Sequence, residues 1–322
     1  MATIGTGIPG TDSHTSTTGD GGSSLALEVK TYYEKVFLAR AEFELILKEG
    51  GQNRTHPANE GRTVNFTRYN PLGIVTSPLG EASNPVTCAI NASTVSMTLS
   101  EYGLTTTHGR LLTTVSIDSG MKEKVALVGQ NMGETLNRLV RAELQNGTAF
   151  YPNGHAIDTI AAGDVLDACN IRLMVQTLEL AKTPVYKDGF FIGKTDPISK
   201  YKLLGDTTWV NSKTYSDVND LYKGEMGELY QVRWLLNKDV SSGTEATSLA
   251  ASTVTRYYTY VHGDNSFGVY DLETNKPQLF ILPNVVDSNS PAGRVSFISW
   301  AGAYATKILK SDWILSARFT AS

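Results

Sequence analysis

The spacing of apolar residues predicts a long helix near the start of the chain. Ser24 is a residue type that caps helix N-termini, and apolar positions recur at helical intervals from Leu25 to Leu47. A Gly-Gly pair then ends the pattern. The preceding residues, 1–24, are rich in Gly, Ser and Thr and have almost no apolar anchors, which predicts an arm that is mobile unless a partner holds it.

A second helix has the clearest apolar stripe in the sequence. It is predicted to begin at Asp118 or Ser119 and to end at Asn146-Gly147. One face carries its large apolar residues: Val125, Val128, Met132, Leu136, Leu139, Val140 and Leu144. A helix of this length spans about 36 Å at the standard rise per residue.

Between these two helices the hydrophobic period changes to about two. Alternation over 63–68 and again over 95–99 predicts strands, and turn-forming residues lie between them: Pro71, Pro78, Gly80 and Pro85. The stretch 62–117 is therefore predicted to form a long hairpin or meander. Because a two-stranded ribbon with so few bulky residues is marginal alone, we expect it to gain stability by lying across another copy of the chain.

The rest of the pattern predicts shorter elements. A helix over 164–182 begins with an Asp164/Asp167 arrangement that resembles a capping box, and two short helices are expected over 198–204 and 217–222. Strands are expected over 190–194, 228–236, 256–261, 278–282, 295–300 and 313–319. A segment rich in Ser, Thr, Ala and Gly over 238–253 predicts a surface loop. These elements together predict an α+β chain.

Composition and charge narrow the possible functions. The 322 residues are 41% hydrophobic, enough for two or three subdomains, and the net charge of −4 provides no basic field for nucleic-acid binding by counterion release. No run of about 18 apolar residues occurs, so no membrane partner is expected. Cys88 and Cys169 are too far apart for a metal-binding pair and are expected to be buried thiols in a reducing cytoplasm.

Motifs that carry chemistry fail their structural requirements. Gly5, Gly7 and Gly10 fit a dinucleotide pattern but lie in the predicted arm, and only three residues separate Gly189 from Gly193 where a phosphate-binding loop needs four. The five histidines have no metal-ligand spacing. We therefore nominate no catalytic, cofactor-binding or metal residue and expect a protein that is not an enzyme. A cytoplasmic α+β enzyme with a constellation assembled only in space stays open.

Five short phrases occur in an order that is informative. They are Gly61 to Leu72, Glu101-Tyr102-Gly103, Gly224 to Trp234, His262 to Gly268, and Ser299-Trp300-Ala301. Taken together they resemble the major capsid proteins of tailed phages, in the podovirus coat-protein branch. One departure is Ala301, because the family often has lysine after this tryptophan.

The resemblance implies a tailed-phage major capsid fold of the Hong-Kong-97 type. Its parts would be an N-terminal arm and first helix over 1–48, an extended β loop over 49–118, a peripheral domain with a spine helix over 119–160, an axial domain over 161–293, and C-terminal strands over 294–322 that return to the peripheral domain.

The resemblance also implies function and partners. Such subunits form hexamers and pentamers that tile an icosahedral head around double-stranded DNA, without sequence-specific binding. A portal and decoration proteins are further expected partners, and a separate scaffolding protein is expected because the first helix starts by about residue 25. Assembly would take place in the host bacterial cytoplasm. A nanocompartment shell of the same fold, which encloses enzymes in place of a genome, is the alternative.

The predicted ribbon turn supplies the candidate contacts between subunits: Pro78, Leu79, Gly80 and Glu81. An ordinary exposed turn is the competing interpretation of these four residues.

Overall fold

A computed structural model describes most of the chain. The residues described are 27–56, 61–70, 72–81, 84–85, 87–109, 120–155, 160, 163–207, 225–239, 242–243, 255–272, 276–282 and 292–321. The predicted arm, both predicted starts of the two long helices, the short helix over 217–222 and most of the loop over 238–253 lie outside these residues.

Helices and strands alternate irregularly along the described chain. The helices are α1 (Leu27–Glu44), α2 (Met121–Leu144), α3 (Ala168–Leu180) and α4 (Pro197–Leu204), with 3-10 turns at Ile46–Lys48, Pro152–Gly154 and Ser311–Trp313. The first nine strands are β1 (Gln52–His56), β2 (Thr63–Tyr69), β3 (Ala92–Thr98), β4 (Ser100–Gly109), β5 (Thr148–Phe150), β6 (Phe191–Thr195), β7 (Glu225–Leu229), β8 (Val232–Leu236) and β9 (Ser242–Gly243). The remaining strands are β10 (Arg256–His262), β11 (Phe267–Leu272), β12 (Gln278–Leu282), β13 (Val295–Ile308) and β14 (Ile314–Thr320).

The strands form three sheets. One has the order β1-β11-β13-β12, and β4 also pairs with β13. A second, seven-stranded sheet has the order β5-β14-β10-β6-β8-β7, with β9 on β10. The third is the two-stranded ribbon β2-β3, whose register runs from Thr63 opposite Thr98 to Tyr69 opposite Ala92.

Two hydrophobic cores join helices to the larger sheets. The apolar stripe of α2 packs with α1 over the five-stranded sheet, where Trp300 and Ile298 are buried. The second core lies between α3 and the seven-stranded sheet, around Trp234 and Phe191. The predicted amphipathic face of α2 is therefore confirmed, because six of its seven stripe residues are buried there and the seventh, Leu139, is half-buried against the same core.

Strand membership divides the chain differently from the predicted subdomain boundaries. β13 lies in the sheet under α2, but β14 lies in the seven-stranded sheet. β11 and β12, which fall within the predicted axial segment, pair with β13. The C-terminal strands are thus shared between the two sheets, so a contiguous boundary at residue 293 does not describe their pairing.

Three local predictions were wrong. Of the two predicted residues, Asp167 caps α3 by accepting a hydrogen bond from Asn170 N–H at 2.7 Å, whereas the Asp164 carboxylate contacts His155 Nδ1 at 2.8 Å. The segment 228–236 is not one strand but the end of one strand and the whole of the next. Cys88 and Cys169 are both exposed, since each lies on a part of the surface that no core covers.

Candidate assembly surface

The base of the ribbon packs against its own subunit. Phe66 and Met97 are buried in a small core with Tyr270 of β11 and Ala305 of β13. The rings of Phe66 and Tyr270 meet edge to face, with centroids 5.9 Å apart. In addition, β4 pairs with β13 over ten residues from Ser100 to Gly109. The prediction that the whole stretch 62–117 depends on another copy is therefore wrong for β4 and for the apolar face of the ribbon.

Beyond the ribbon the chain forms a long loop, here called the tip loop, between Asn70 and Asn91. A backbone hydrogen bond from Asn70 N–H to Asn91 O, 2.9 Å long, closes it. Every described residue of the loop, 72–81, 84–85 and 87–90, is exposed. Its large aliphatic residues are exposed by more than half: Leu72 55%, Ile74 87%, Val75 76%, Leu79 65% and Ile90 68%.

The four predicted contact residues lie in the middle of the tip loop. Pro78, Leu79, Gly80 and Glu81 are all exposed, and they fall midway between the two ends of the ribbon strands. Their role as contacts between subunits stays a prediction. The structure shows in addition that these four residues lie among the exposed aliphatic residues of the tip loop. Soluble monomers rarely leave such an apolar segment uncovered.

A buried lysine fixes the segment that leads into β1. Lys194 of β6 has no solvent exposure, and its ammonium donates to the carbonyl oxygens of Leu47 at 2.8 Å and Glu49 at 2.6 Å. Its Nζ also lies 4.9 Å from the centre of the Phe267 ring. Burial lowers the pKa of Lys194 to about 7, and the charge of Glu49 partly opposes this shift.

Gly50, two residues beyond Lys48, packs against a tyrosine and a histidine. The Tyr186 hydroxyl donates to Gly50 O at 2.6 Å and lies 2.9 Å from His262 Nδ1. Gly50 has a φ of +77°, and a Cβ there would lie 2.7 Å from both the Tyr186 hydroxyl and His262 Cε1. Burial, and then the charge of Lys194, lower the pKa of His262 well below its ordinary value, so the ring stays neutral.

Helix α2 also binds the segment around Leu47. Asn137 Oδ1 accepts a hydrogen bond from Leu47 N–H at 3.0 Å, and its Nδ2 donates to Asn237 Oδ1 at 3.2 Å. One turn further along α2, Arg141 forms an ion pair of 2.8 Å with Asp239. Leu47 is therefore bound through both its N–H and its carbonyl group, and the start of the extended β region is tied to both larger sheets.

The carboxylates at one surface cavity have structural roles. A cavity of about 640 Å³ beside α4 is lined by Val165, Leu166, Tyr201, Lys202 and Leu204 together with Asp167 and Asp206. Asp167 caps α3, and Asp206 Oδ2 accepts the Ala168 N–H at 2.9 Å. Both carboxylates are thus committed to the N-terminus of α3.

The described residues were compared with the requirements of a metal site and of a membrane-spanning helix. Within the described ranges, no group of three His, Cys, Asp or Glu side chains is placed to hold a metal ion. None of the described helices is long and apolar enough to cross a membrane.

Comparison with solved structures identifies the architecture. The capsid of Ralstonia phage GP4 matches with a TM-score of 0.65 and 13% identity, over 100% of this chain and 98% of that chain. The Cyanophage Pam1 capsid matches with a TM-score of 0.61 and 14% identity, over 98% and 99%. The capsid of Helicobacter pylori bacteriophage KHP30 matches with a TM-score of 0.61 and 10% identity, over 85% and 88%. No model of a known protein family and no curated protein matches the sequence.

The chain has the Hong-Kong-97-type capsid fold. The matches to GP4 and Pam1 cover nearly all of both chains, and the mixture of helices and sheets confirms the predicted α+β fold class. The matches are to capsids of several tailed phages, and the podovirus branch stays a prediction.

Within this capsid fold, the contacts around Leu47 were not predicted from the sequence. Lys194 directly follows Gly193 of the mismatched phosphate-binding pattern, and no contact was predicted for it. The available signal was its position at the end of a predicted strand, 190–194, that is otherwise rich in apolar residues. If such a strand is buried, the lysine ammonium at its end needs acceptors.

Proposed function

We propose that the chain is a major capsid protein, which self-assembles into hexamers and pentamers that form the icosahedral head of a tailed phage around double-stranded DNA. The observation that carries the proposal is the tip loop, whose aliphatic residues are exposed although a backbone hydrogen bond joins its two ends. Burying such a segment against a second copy removes apolar surface from water, which favours association. The likeness to phage capsids supports the same conclusion.

The proposal extends to partners and location. A separate scaffolding protein, a portal and decoration proteins would act with the chain, which would assemble in the bacterial cytoplasm and reside in the virion. The net charge of −4 is compatible with enclosing DNA that is packaged by other means. The proposed role is structural. In agreement with it, the two carboxylates at the cavity beside α4 serve the N-terminus of α3.

Electron microscopy of the purified protein tests the proposal. We expect round shells or six-fold rings, and sedimentation should show species much larger than one subunit. A compact monomer that stays inert at all protein and salt concentrations, with or without a co-expressed scaffolding protein, would contradict it. Nucleic acid inside native shells would favour a phage head over a nanocompartment, and cargo enzymes would favour the reverse.

A further inference from the structure

Two positive side chains share one tryptophan ring near the outer end of the ribbon. The Arg68 guanidinium lies 5.6 Å from the centre of the Trp313 ring, and the Lys310 ammonium lies 4.3 Å from it. Trp313 is half-buried in the turn between β13 and β14, and its indole N–H donates to Ala181 O at 3.4 Å. These three residues are called the Trp313 cluster.

The Trp313 cluster concentrates positive charge with which no described carboxylate forms an ion pair. Neither Arg68 nor Lys310 has a carboxylate within ion-pair distance among the residues described. Partial burial, and then the charge of Arg68, lower the pKa of Lys310, while Asp312 opposes the shift without forming an ion pair. Two cations that lie against the same ring repel each other, so the arrangement favours a nearby anion.

The tip loop carries one charge of the opposite sign. Glu81 is the single charged residue between Asn70 and Asn91, and it is exposed. No described cation lies within ion-pair distance of it. Any surface that covers Leu79 must also accommodate this carboxylate two residues away. Because a carboxylate that loses water at an interface needs a cation in compensation, that surface should supply one beside an apolar face.

We propose that Glu81 of one copy binds between Arg68 and Lys310 of the neighbouring copy, with the Trp313 ring as the apolar floor for the tip loop. This inference rests on the proposed self-assembly, and it names the contact that orients one copy relative to the next. The contact is heterologous, since the loop of one copy meets a different surface of the next, and such contacts close into rings. Charge complementarity between the loop and the cluster would fix the direction of the ring.

Charge reversal tests the pairing. The variants are E81K and R68E/K310E, the controls are E123K and K187E at other exposed positions, and thermal unfolding of each soluble subunit verifies folding. We expect each test variant to form about tenfold fewer rings or shells than wild type at equal concentration, and the controls to assemble normally. The chain that combines all three reversals should regain wild-type assembly.

Mixing the two defective variants separates a contact between copies from one within a copy. In an alternating ring, each loop then meets a cluster of opposite charge, so the mixture should assemble although neither variant does so alone. A mixture that stays unassembled, or an E81K variant that assembles like wild type, would overturn the pairing and leave self-assembly intact. Failure of the wild-type chain itself to assemble would instead contradict the proposed function. If R68E/K310E only loses affinity for a DNA probe, the cluster binds phosphate and the pairing is wrong.

Discussion

The Lys194 ammonium donates to the carbonyl oxygen of Leu47 across 2.8 Å, with no solvent reaching the lysine. The same peptide segment is held from the spine helix, where Asn137 accepts the Leu47 N–H. Strand β6 and helix α2 therefore meet at one residue. Because β1 starts five residues beyond Leu47, these two contacts fix the segment that leads into β1.

The first prediction concerns Lys194 and pH. The lysine has an ordinary pKa of 10.5 in the unfolded chain, and burial lowers it to about 7 in the folded chain. Between these values the unfolded chain binds the additional proton, so the free energy of unfolding should rise with pH across this window, by on the order of a few kcal/mol. Below pH 7 both states are protonated and this contribution is constant.

Substitution of Lys194 by Met should remove that slope, since methionine does not titrate. The measurement is urea-induced unfolding of the soluble subunit at several pH values from 7 to 10. K187M is the matched control, because Lys187 is exposed, and it should retain the slope. An unchanged slope in K194M would show that Lys194 is not the group responsible.

The second prediction concerns Asn137. Its replacement by Ala leaves the buried Leu47 N–H without an acceptor and removes the donor to Asn237, so the free energy of unfolding should fall by about 1–3 kcal/mol. N146A, at an exposed position two residues beyond α2, should change it by less than about 0.5 kcal/mol. Equal changes in the free energy of unfolding for the two substitutions would show that the hydrogen bond to Leu47 does not stabilise the subunit measurably.

The third prediction concerns the contact between α1 and α2. A Cβ at Gly129 would lie 2.5 Å from the Phe37 carbonyl oxygen, so G129A should push the helices apart and destabilise the subunit by about 1–3 kcal/mol. Helix propensity alone predicts the opposite sign, a gain of about 1 kcal/mol for Gly to Ala. A142G, at an exposed site on α2, measures that propensity effect separately. Stabilisation by G129A would show that the two backbones are not in close contact.

The sequence predicted those elements whose periodicity is strong. The α2 stripe, the strand Gln278–Leu282 and the alternation of the ribbon all appear where the pattern placed them. Each of these elements buries one face, and a single buried face is what a hydrophobic period records.

Elements that depend on distant partners were missed or shortened. β1 is polar and pairs in parallel with β11, more than 200 residues away, so no local pattern marks it. β13 extends beyond Trp300 through Gly302, where Pro277 packs so closely that a Cβ would lie 2.4 Å from its Cα. Small residues at such a contact weaken the strand signal because they have little apolar surface.

The hairpin of β7 and β8 was hidden for a different reason. Tyr230 and Gln231 form its turn with φ values of 49° and 60°, a left-handed conformation that usually calls for Gly, Asn or Asp. Without those residues the segment 228–236 predicts one continuous strand. At the candidate surface, the sequence predicted the position of the tip loop. It could not predict the Trp313 cluster, because that cluster forms only when the ribbon and the β13–β14 turn lie side by side in the fold.

The final prediction tests the central claim, that the tip loop is exposed in one subunit because a second copy covers it. Three of its aliphatic residues are replaced in I74S/V75S/L79S, and L180S is the control at an equally exposed position on α3. Because these side chains contact little within their own subunit, thermal unfolding of the soluble subunit should be unchanged. Electron microscopy of both variants beside the wild-type protein is the most direct measurement. We expect rings or shells from the wild type and from L180S and almost none from the triple variant, whereas shells of normal number and size from the triple variant would contradict the account.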